Sequence, residues 1–550
     1  MNPHDAGATA TGQREALGRF VRDLVAEIEP LHLQHNQAVW LANVTGDAAH
    51  EREAARLDAR IRTLFSRPEP YAFLRGLRGA GGVGEPLLDR QLALLADAFR
   101  AHQIPSELIE RTVRLEKGLE SRFNTFRAEV DGARVTDNAL REVLRESDDS
   151  ARRRRAWEAS KQVGAGVEGD LLELVRLRNQ AARTIGFDNY YSMMLVLDEL
   201  DEAELFGLLD ELERGTRPLW ERYRHDLDAR LARRFGVATD GLRPWHMSDP
   251  FFQEAPAVDV SLDAAFAGRP LEPITERFFA AIGLEVGDLL ARADLYEKPG
   301  KCQHAFCMSL DRGDDIRVLC NLQPNEYWMS TMLHEFGHAV YDKFIDRELP
   351  WVLRTPAHTL VTEASAMLFG RLTKNAAWLT RYAGMDEGEA LRMEQAIRRA
   401  IREQLLVQTR WCLVMCHMER ALYRDPEQDL NRLWWDLVER FQWVRRPEER
   451  DQPDWASKIH FSVAPVYYQN YLLGEMLASQ LQRHLLKEVL GGRAEHPPWD
   501  RFVADPAVGD YLRARLYHGG RAHDWRETSR LATGERLGPA AFVSDLADGR

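Results

Sequence analysis

Apolar residues recur at three- and four-residue steps along most of the chain and alternating runs are few, a pattern that predicts a mainly α protein. From Glu204 to Phe235 the Leu, Trp and Tyr positions form a stripe among charges, as an amphipathic helix requires. Gly- or Pro-rich breaks fall at 76–86, 241–256, 445–454 and 491–499. None is long enough for a flexible linker, so residues 1–550 are expected to form one large helical domain built of subdomains. One place leaves the helical period. HAFCMSL (304–310) and IRVLC (316–320) are short β-prone runs separated by DRGDD, and they predict a hairpin.

Composition narrows the class without naming the chemistry. With 45% hydrophobic and 29% charged residues, the chain matches folded soluble proteins and not disordered or collagen-like ones. Its 73 Lys+Arg against 86 Asp+Glu give a net charge of -13, a poor match to a phosphate backbone, so nucleic acid is not expected as a partner. No apolar run approaches the roughly 18–20 residues that span a bilayer, so no membrane partner is expected either. The first twenty residues show neither a basic nor an apolar signal region, and the five cysteines are too few for a disulfide framework. A cytoplasmic protein is the expectation, with oligomeric state left open.

The decisive motif is His334-Glu335-Phe336-Gly337-His338. On a helix, positions i and i+4 share a face, so both imidazoles can reach one Zn²⁺ while Glu335 sits beside the metal-bound water. The surrounding run, Tyr327 to Ile345, is apolar and free of proline, which predicts a buried helix. Two buried histidines are costly unless paired, and a metal pairs them. A catalytic zinc needs a third protein ligand. Glu363 is the candidate, on a second helix entered through a Pro356 turn, its neighbours Leu360, Val361, Ala364, Ala366, Met367 and Leu368 predicting burial. Asp342 and Asp346 are nearby rivals that fall too close to the histidine pair to reach round to the metal easily.

The segment from Asp314 to Leu372 resembles the zinc region of the angiotensin-converting-enzyme family of peptidyl-dipeptidases, which are gluzincin metallopeptidases. Shared features are a strand ending in Cys320, the HExGH helix, an ELP-type turn and a Glu about two dozen residues on. Lys458-Ile459-His460 followed by Tyr468 and Tyr471 is similar to that family's substrate segment. GKCQHAFC and YLLGEMLASQ also resemble the oligoendopeptidase F and thimet oligopeptidase group. The resemblance implies one Zn²⁺ per chain on His334, His338 and Glu363, with Glu335 as general base and then general acid. It implies His460 and Tyr471 as oxyanion donors, and Lys458, Tyr468 and Gln253 as holders of the substrate's C-terminal carboxylate. His304 and Ala305, on the hairpin, would line the substrate cleft. The implied architecture is two helical subdomains around a deep cleft, with lid-like helices at about 1–75, a zinc core at about 296–375 and a substrate-binding segment at about 456–480.

The sequence departs from that family at several points. The His-to-Tyr spacing needs a one-residue gap, which leaves Tyr467 as an alternative to Tyr468 or Tyr471. Asn470 stands where the family has a chloride-associated arginine, so chloride activation is not implied. Met367 stands where an acidic group orients a ligand histidine, so another residue must supply that contact. Cys302 and Cys320 sit near positions that are bridged in secreted members of that family, and are expected as thiols here. Cys412, Cys416 and His417 are read as helix core, Arg152 to Arg155 as a solvated helix face, and His358 as a cap, a turn residue or a neighbour of the site. The function expected is zinc-dependent hydrolysis of short peptides releasing C-terminal dipeptides. Alternatives are internal cleavage of oligopeptides and a non-catalytic peptide-binding protein with a structural metal.

Overall fold

The computed structural model describes residues 3–256, 260–493 and 496–547. Helices dominate, and the described residues hold two small two-stranded antiparallel sheets. The mainly α expectation is met. The chain folds into two units, each assembled from separated stretches.

The first unit comprises Met1–Gln103, Val260–Ala396 and Leu473–Ala541. Its N-terminal helices are Pro3–Thr45, Ala48–Phe65, Pro68–Gly79 and Pro86–Ala101. They bury a cluster in which Leu17, Val21, Leu24 and Ile28 pack with Leu57, Leu64, Leu74, Leu92 and Phe99. Trp351 and Leu353 complete that cluster, so these helices rest on the segment that joins the two helices of the HExxH region. The hairpin forms as Phe306–Ser309 paired antiparallel with Ile316–Leu319, Phe306 opposite Leu319. It is shorter than the sequence suggests: His304 and Ala305 precede the first strand and do not lie on it. The Asp311 carboxylate accepts from the Gly313 and Asp315 backbone and shapes the turn, while at the open end Cys320 N–H donates to Asp294 O, so pairing stops at Phe306 and Leu319 and His304 stays in exposed coil.

The second unit comprises Ile104–Asp259, Ile397–Leu472 and Phe542–Arg550. Its long helices, Ser150–Thr184 and Glu202–Phe235, start at Asp149 and Asp201, whose carboxylates accept from first-turn N–H groups. Gly236, in the left-handed region, ends the second. Of the Arg152 to Arg155 run, three are exposed, but Arg153 is buried and donates to the carbonyls of Ser147, Trp245 and Met247. The reading of the run as a solvated face fails at that residue. Five hydrogen-bond donors let one arginine tie three loop carbonyls that would otherwise be stranded. Cys412, Cys416 and Met415 are fully buried in Glu387–Arg424, and His417 packs against Phe206 and Phe441, so that group is core. All five cysteines are free.

Candidate metal centre and carboxylate-binding cluster

Helix Glu326–Lys343 begins at Asn325, whose side chain accepts from Trp328 N–H. It buries Met329, Met332, Leu333, Phe336, Gly337, Ala339 and Val340, which leaves the edge carrying His334 and His338 for chemistry. Their rings stand 4.9 Å apart and nearly perpendicular. Helix Thr359–Gly370 is capped by His358, whose ring accepts from Leu360 N–H, so His358 is a cap.

The two helices run antiparallel. Ser330 donates to Gly370 O, Ser365 to Gly337 O, and His338 meets Thr362, so later positions on one helix meet earlier positions on the other. Small residues line the contact. A Cβ on Gly337 would stand 2.7 Å from Ala366 Cα, and one on Gly370 would stand 3.3 Å from His334 Cβ. This closeness delivers Glu363 to the histidines. Glu363 Oε2 lies 3.6 Å from His334 Nε2 and 4.0 Å from His338 Nε2, and ligand atoms of all three lie within 4.8 Å of one another. A tetrahedral ion with bonds of about 2.0–2.1 Å holds its ligands about 3.4 Å apart, so a small contraction closes the site. Asp342 and Asp346 are not part of this group.

The electrostatics suit a cation. Burial lowers His334 to about 4 and His338 to about 3, which keeps both imidazoles neutral and able to ligate. Burial raises Glu363 to about 6, helped by Glu475. Burial also raises Glu335 to about 8, with the Glu363 charge adding to it and a hydrogen bond from the Cys307 backbone opposing it. Two neighbouring carboxylates disfavoured in their charged form are relieved by a divalent ion. The donor set of two neutral imidazoles and one carboxylate fits Zn²⁺ with an open fourth position.

One contributor was invisible in the sequence. His338 Nδ1 lies 2.7 Å from Thr362 Oγ1, an acceptor that turns Nε2 toward Glu363. Thr362 thus supplies the contact left open at Met367. Its signal was only adjacency to Glu363, and a threonine in that place has many other uses.

In the second unit the structure gathers Gln253, Lys458 and Tyr468 around Trp411. Lys458 Nζ donates to Gln253 Oε1 at 2.8 Å and lies 5.0 Å from the Trp411 ring. The Trp411 and Tyr468 rings meet edge to face, their centroids 6.0 Å apart. Asp249, accepting from the N–H groups of Phe251, Gln253 and Glu254, shapes the turn that presents Gln253. Burial lowers Lys458 to about 8, with Asp249 opposing the shift. His460 is lowered to about 4 by burial, then by the Lys458 charge, and so is neutral. Its ring packs 5.2 Å from Tyr468, which in turn lies 5.8 Å from Tyr471; Tyr467 lies 5.2 Å from Tyr471.

The model of peptidase family M3 matches residues 143–272 and 287–501, well over half the chain. The chain belongs to peptidase family M3. The resemblance to gluzincin metallopeptidases is thereby borne out at the level of family. Among curated relatives, the chain is 24% identical over 428 residues to the angiotensin-converting enzyme of Bos taurus, covering 70% of this chain and 32% of that one. It is 22% identical over 274 residues to carboxypeptidase 1 of Bacillus subtilis (strain 168), covering 44% and 52%. It is 19% identical over 366 residues to the inactive angiotensin-converting enzyme-related protein of Caenorhabditis elegans, covering 59% and 40%. The chain spans about a third to a half of the length of these relatives. Since one of them is named inactive, turnover has to be argued from the residues present. No helix among the described residues is long and apolar enough to cross a membrane.

Proposed function

We propose that this chain is a zinc-dependent peptidase that releases dipeptides from the C-termini of short peptides. The observation that carries the reading is the convergence of His334, His338 and Glu363, with Glu335 buried beside them on the same helix. A structural zinc site has no use for a glutamate in that place.

His334, His338 and Glu363 would hold the zinc, which when bound would supply a Lewis acid for the scissile carbonyl and lower the pKa of water to about 7. Glu335, whose proton is favoured by burial only while the site lacks a cation, would be deprotonated once a divalent ion is bound beside it and would then take a proton from the attacking water. The same carboxyl then returns it to the leaving amine. His460, neutral, and Tyr471 donate hydrogen bonds to the developing oxyanion. Lys458, with Gln253 and Tyr468, holds the substrate's terminal carboxylate, which favours dipeptide release over internal cleavage. His304 and Ala305 line the path of the peptide. Residues 1–550 are read as a single metallopeptidase domain. Five free thiols fit a reducing compartment, and we place the chain in the cytoplasm.

Mass spectrometry of digests of matched peptides with free and amidated C-termini, with and without chelator, tests this. Chelator-sensitive release of dipeptides from the free forms is expected. Equal cleavage of amidated peptides at internal bonds would make it an oligoendopeptidase, and stoichiometric zinc without hydrolysis would make it a binding protein.

A further inference from the structure

Between His460 and Tyr468 the backbone does something that valine resists. Val466 has φ 56, in the left-handed region, where a β-branched side chain is crowded by its own backbone. Such a residue persists only where its surroundings over-determine the conformation. Here they do. Glu419 Oε1 accepts from Val466 N–H at 2.8 Å, and Gln469 Nε2 donates to Val466 O at 2.6 Å. Both side chains are almost wholly buried, so neither bond competes with water.

The same stretch is held at its other end. The short helix His460–Val463 leaves the carbonyls of Phe461 and Ser462 without helical partners, only that of His460 being met, by Ala464 N–H. Arg178, on Ser150–Thr184, donates to Phe461 O at 2.8 Å and to Ser462 O at 2.5 Å. Arg178 is itself fixed by Glu116 and by the Tyr423 hydroxyl, and Tyr423 stands four residues after Glu419 on Glu387–Arg424. Two long helices therefore grip three backbone atoms of the turn, and Gln469, on the helix Tyr468–His484 that follows it, holds a fourth.

We propose that Glu419 is a positioning residue that, with Arg178, fixes the turn at Val466 and so sets the orientation of His460 and Tyr471. It touches neither substrate nor metal ligand. It acts through Val466. The catalytic consequence rests on the peptidase reading above, whereas the hold on the turn does not. Burial raises the Glu419 carboxyl to about 8, so near neutrality it is largely protonated and accepts through its carbonyl oxygen. Glutamine offers the same acceptor in nearly the same shape.

The test uses the full-length, zinc-loaded chain as wild type, Glu419→Gln and Glu419→Leu, followed by steady-state kinetics and by amide hydrogen exchange over residues 460–471. Glu419→Gln should stay within about three-fold of wild type in kcat and KM, while Glu419→Leu should lose about 10–100-fold in kcat with KM changed by less than about three-fold, as expected for misplaced donors. Amide exchange over the turn should rise about ten-fold or more in Glu419→Leu and stay unchanged in Glu419→Gln. If Glu419→Leu does not fold, Gln469→Met, which removes the other side-chain bond to Val466, is expected to show the same split. A folded Glu419→Leu with wild-type kcat and exchange would overturn the proposal, as would a Glu419→Gln as impaired as Glu419→Leu. If the wild type cleaves no peptide, the peptidase reading has failed on its own, and the exchange comparison still decides whether Glu419 holds the turn.

Discussion

Ala366 Cα lies 2.7 Å from where a Cβ on Gly337 would stand. Any side chain there must push the two metal-bearing helices apart, since the neighbour is backbone and cannot rotate away. Gly337→Ala should therefore cost about 1–3 kcal/mol through overpacking, and should weaken zinc binding because Glu363 moves with its helix. A thermal midpoint and a zinc titration check this; an unchanged midpoint would mean that the helices have room to separate.

Replacing Glu335 by Gln removes the proton acceptor while leaving the three ligand side chains in place. Glu335→Gln should retain one zinc per chain and lose about 10²–10⁴-fold in kcat. Metal analysis beside single-turnover assays measures both, and full activity in this variant would refute its role as general base.

Thr362 orients His338 through a single 2.7 Å contact. Thr362→Val keeps the shape and deletes the acceptor, so zinc affinity should fall about 10–100-fold. Competition with a chromogenic chelator reads the change directly, and the fold itself should survive.

The pH dependence of zinc uptake has a definite sign. In the metal-free chain Glu363 titrates near 6 and Glu335 near 8, both raised, while the two histidines are already neutral well below that range. The metal-free site thus holds protons on carboxyls that a divalent ion expels. Apparent zinc affinity should rise as pH rises from about 6 to about 8, with proton release on binding. Calorimetry in buffers of different ionisation enthalpy counts those protons, and a flat profile would contradict the shifted carboxyls.

Lys458 gives the opposite dependence for substrate. Its ammonium is lost as pH rises through about 8, so kcat/KM for peptides with free C-termini should fall above that pH. Amidated peptides should not show the fall, and Lys458→Met should flatten the difference. Parallel profiles for the two peptide classes would remove Lys458 from carboxylate recognition.

The parts of the site that follow a local rule were legible in the sequence. The i, i+4 histidines, the intervening glutamate and the β-prone pair around DRGDD are each set by periodicities of a few residues. Glu363 was reachable because a helix, a turn and a return fit the interval. What escaped were contacts made across long separations by residues with several possible partners. Arg153 reads as one more charge in a basic run, yet it is buried on loop carbonyls about 92–94 residues away. Glu419 sits in a core-like helical stretch and gives no hint of Val466. Nor does the sequence show which separated stretches gather into each of the two units, since their packing is decided by surfaces that only the folded chain brings together.

Thr362 and Glu363 are consecutive, and one serves a ligand while the other is a ligand. An ion bound to His334, His338 and Glu363 would close a loop through the chain from His338 to Glu363, including the Trp351–Leu353 segment on which the N-terminal helices rest. The metal would then act as a clasp as well as a reagent. Withdrawing it should loosen helices that never approach the ion, and the chain's resistance to heat should be a reading of how much zinc it carries.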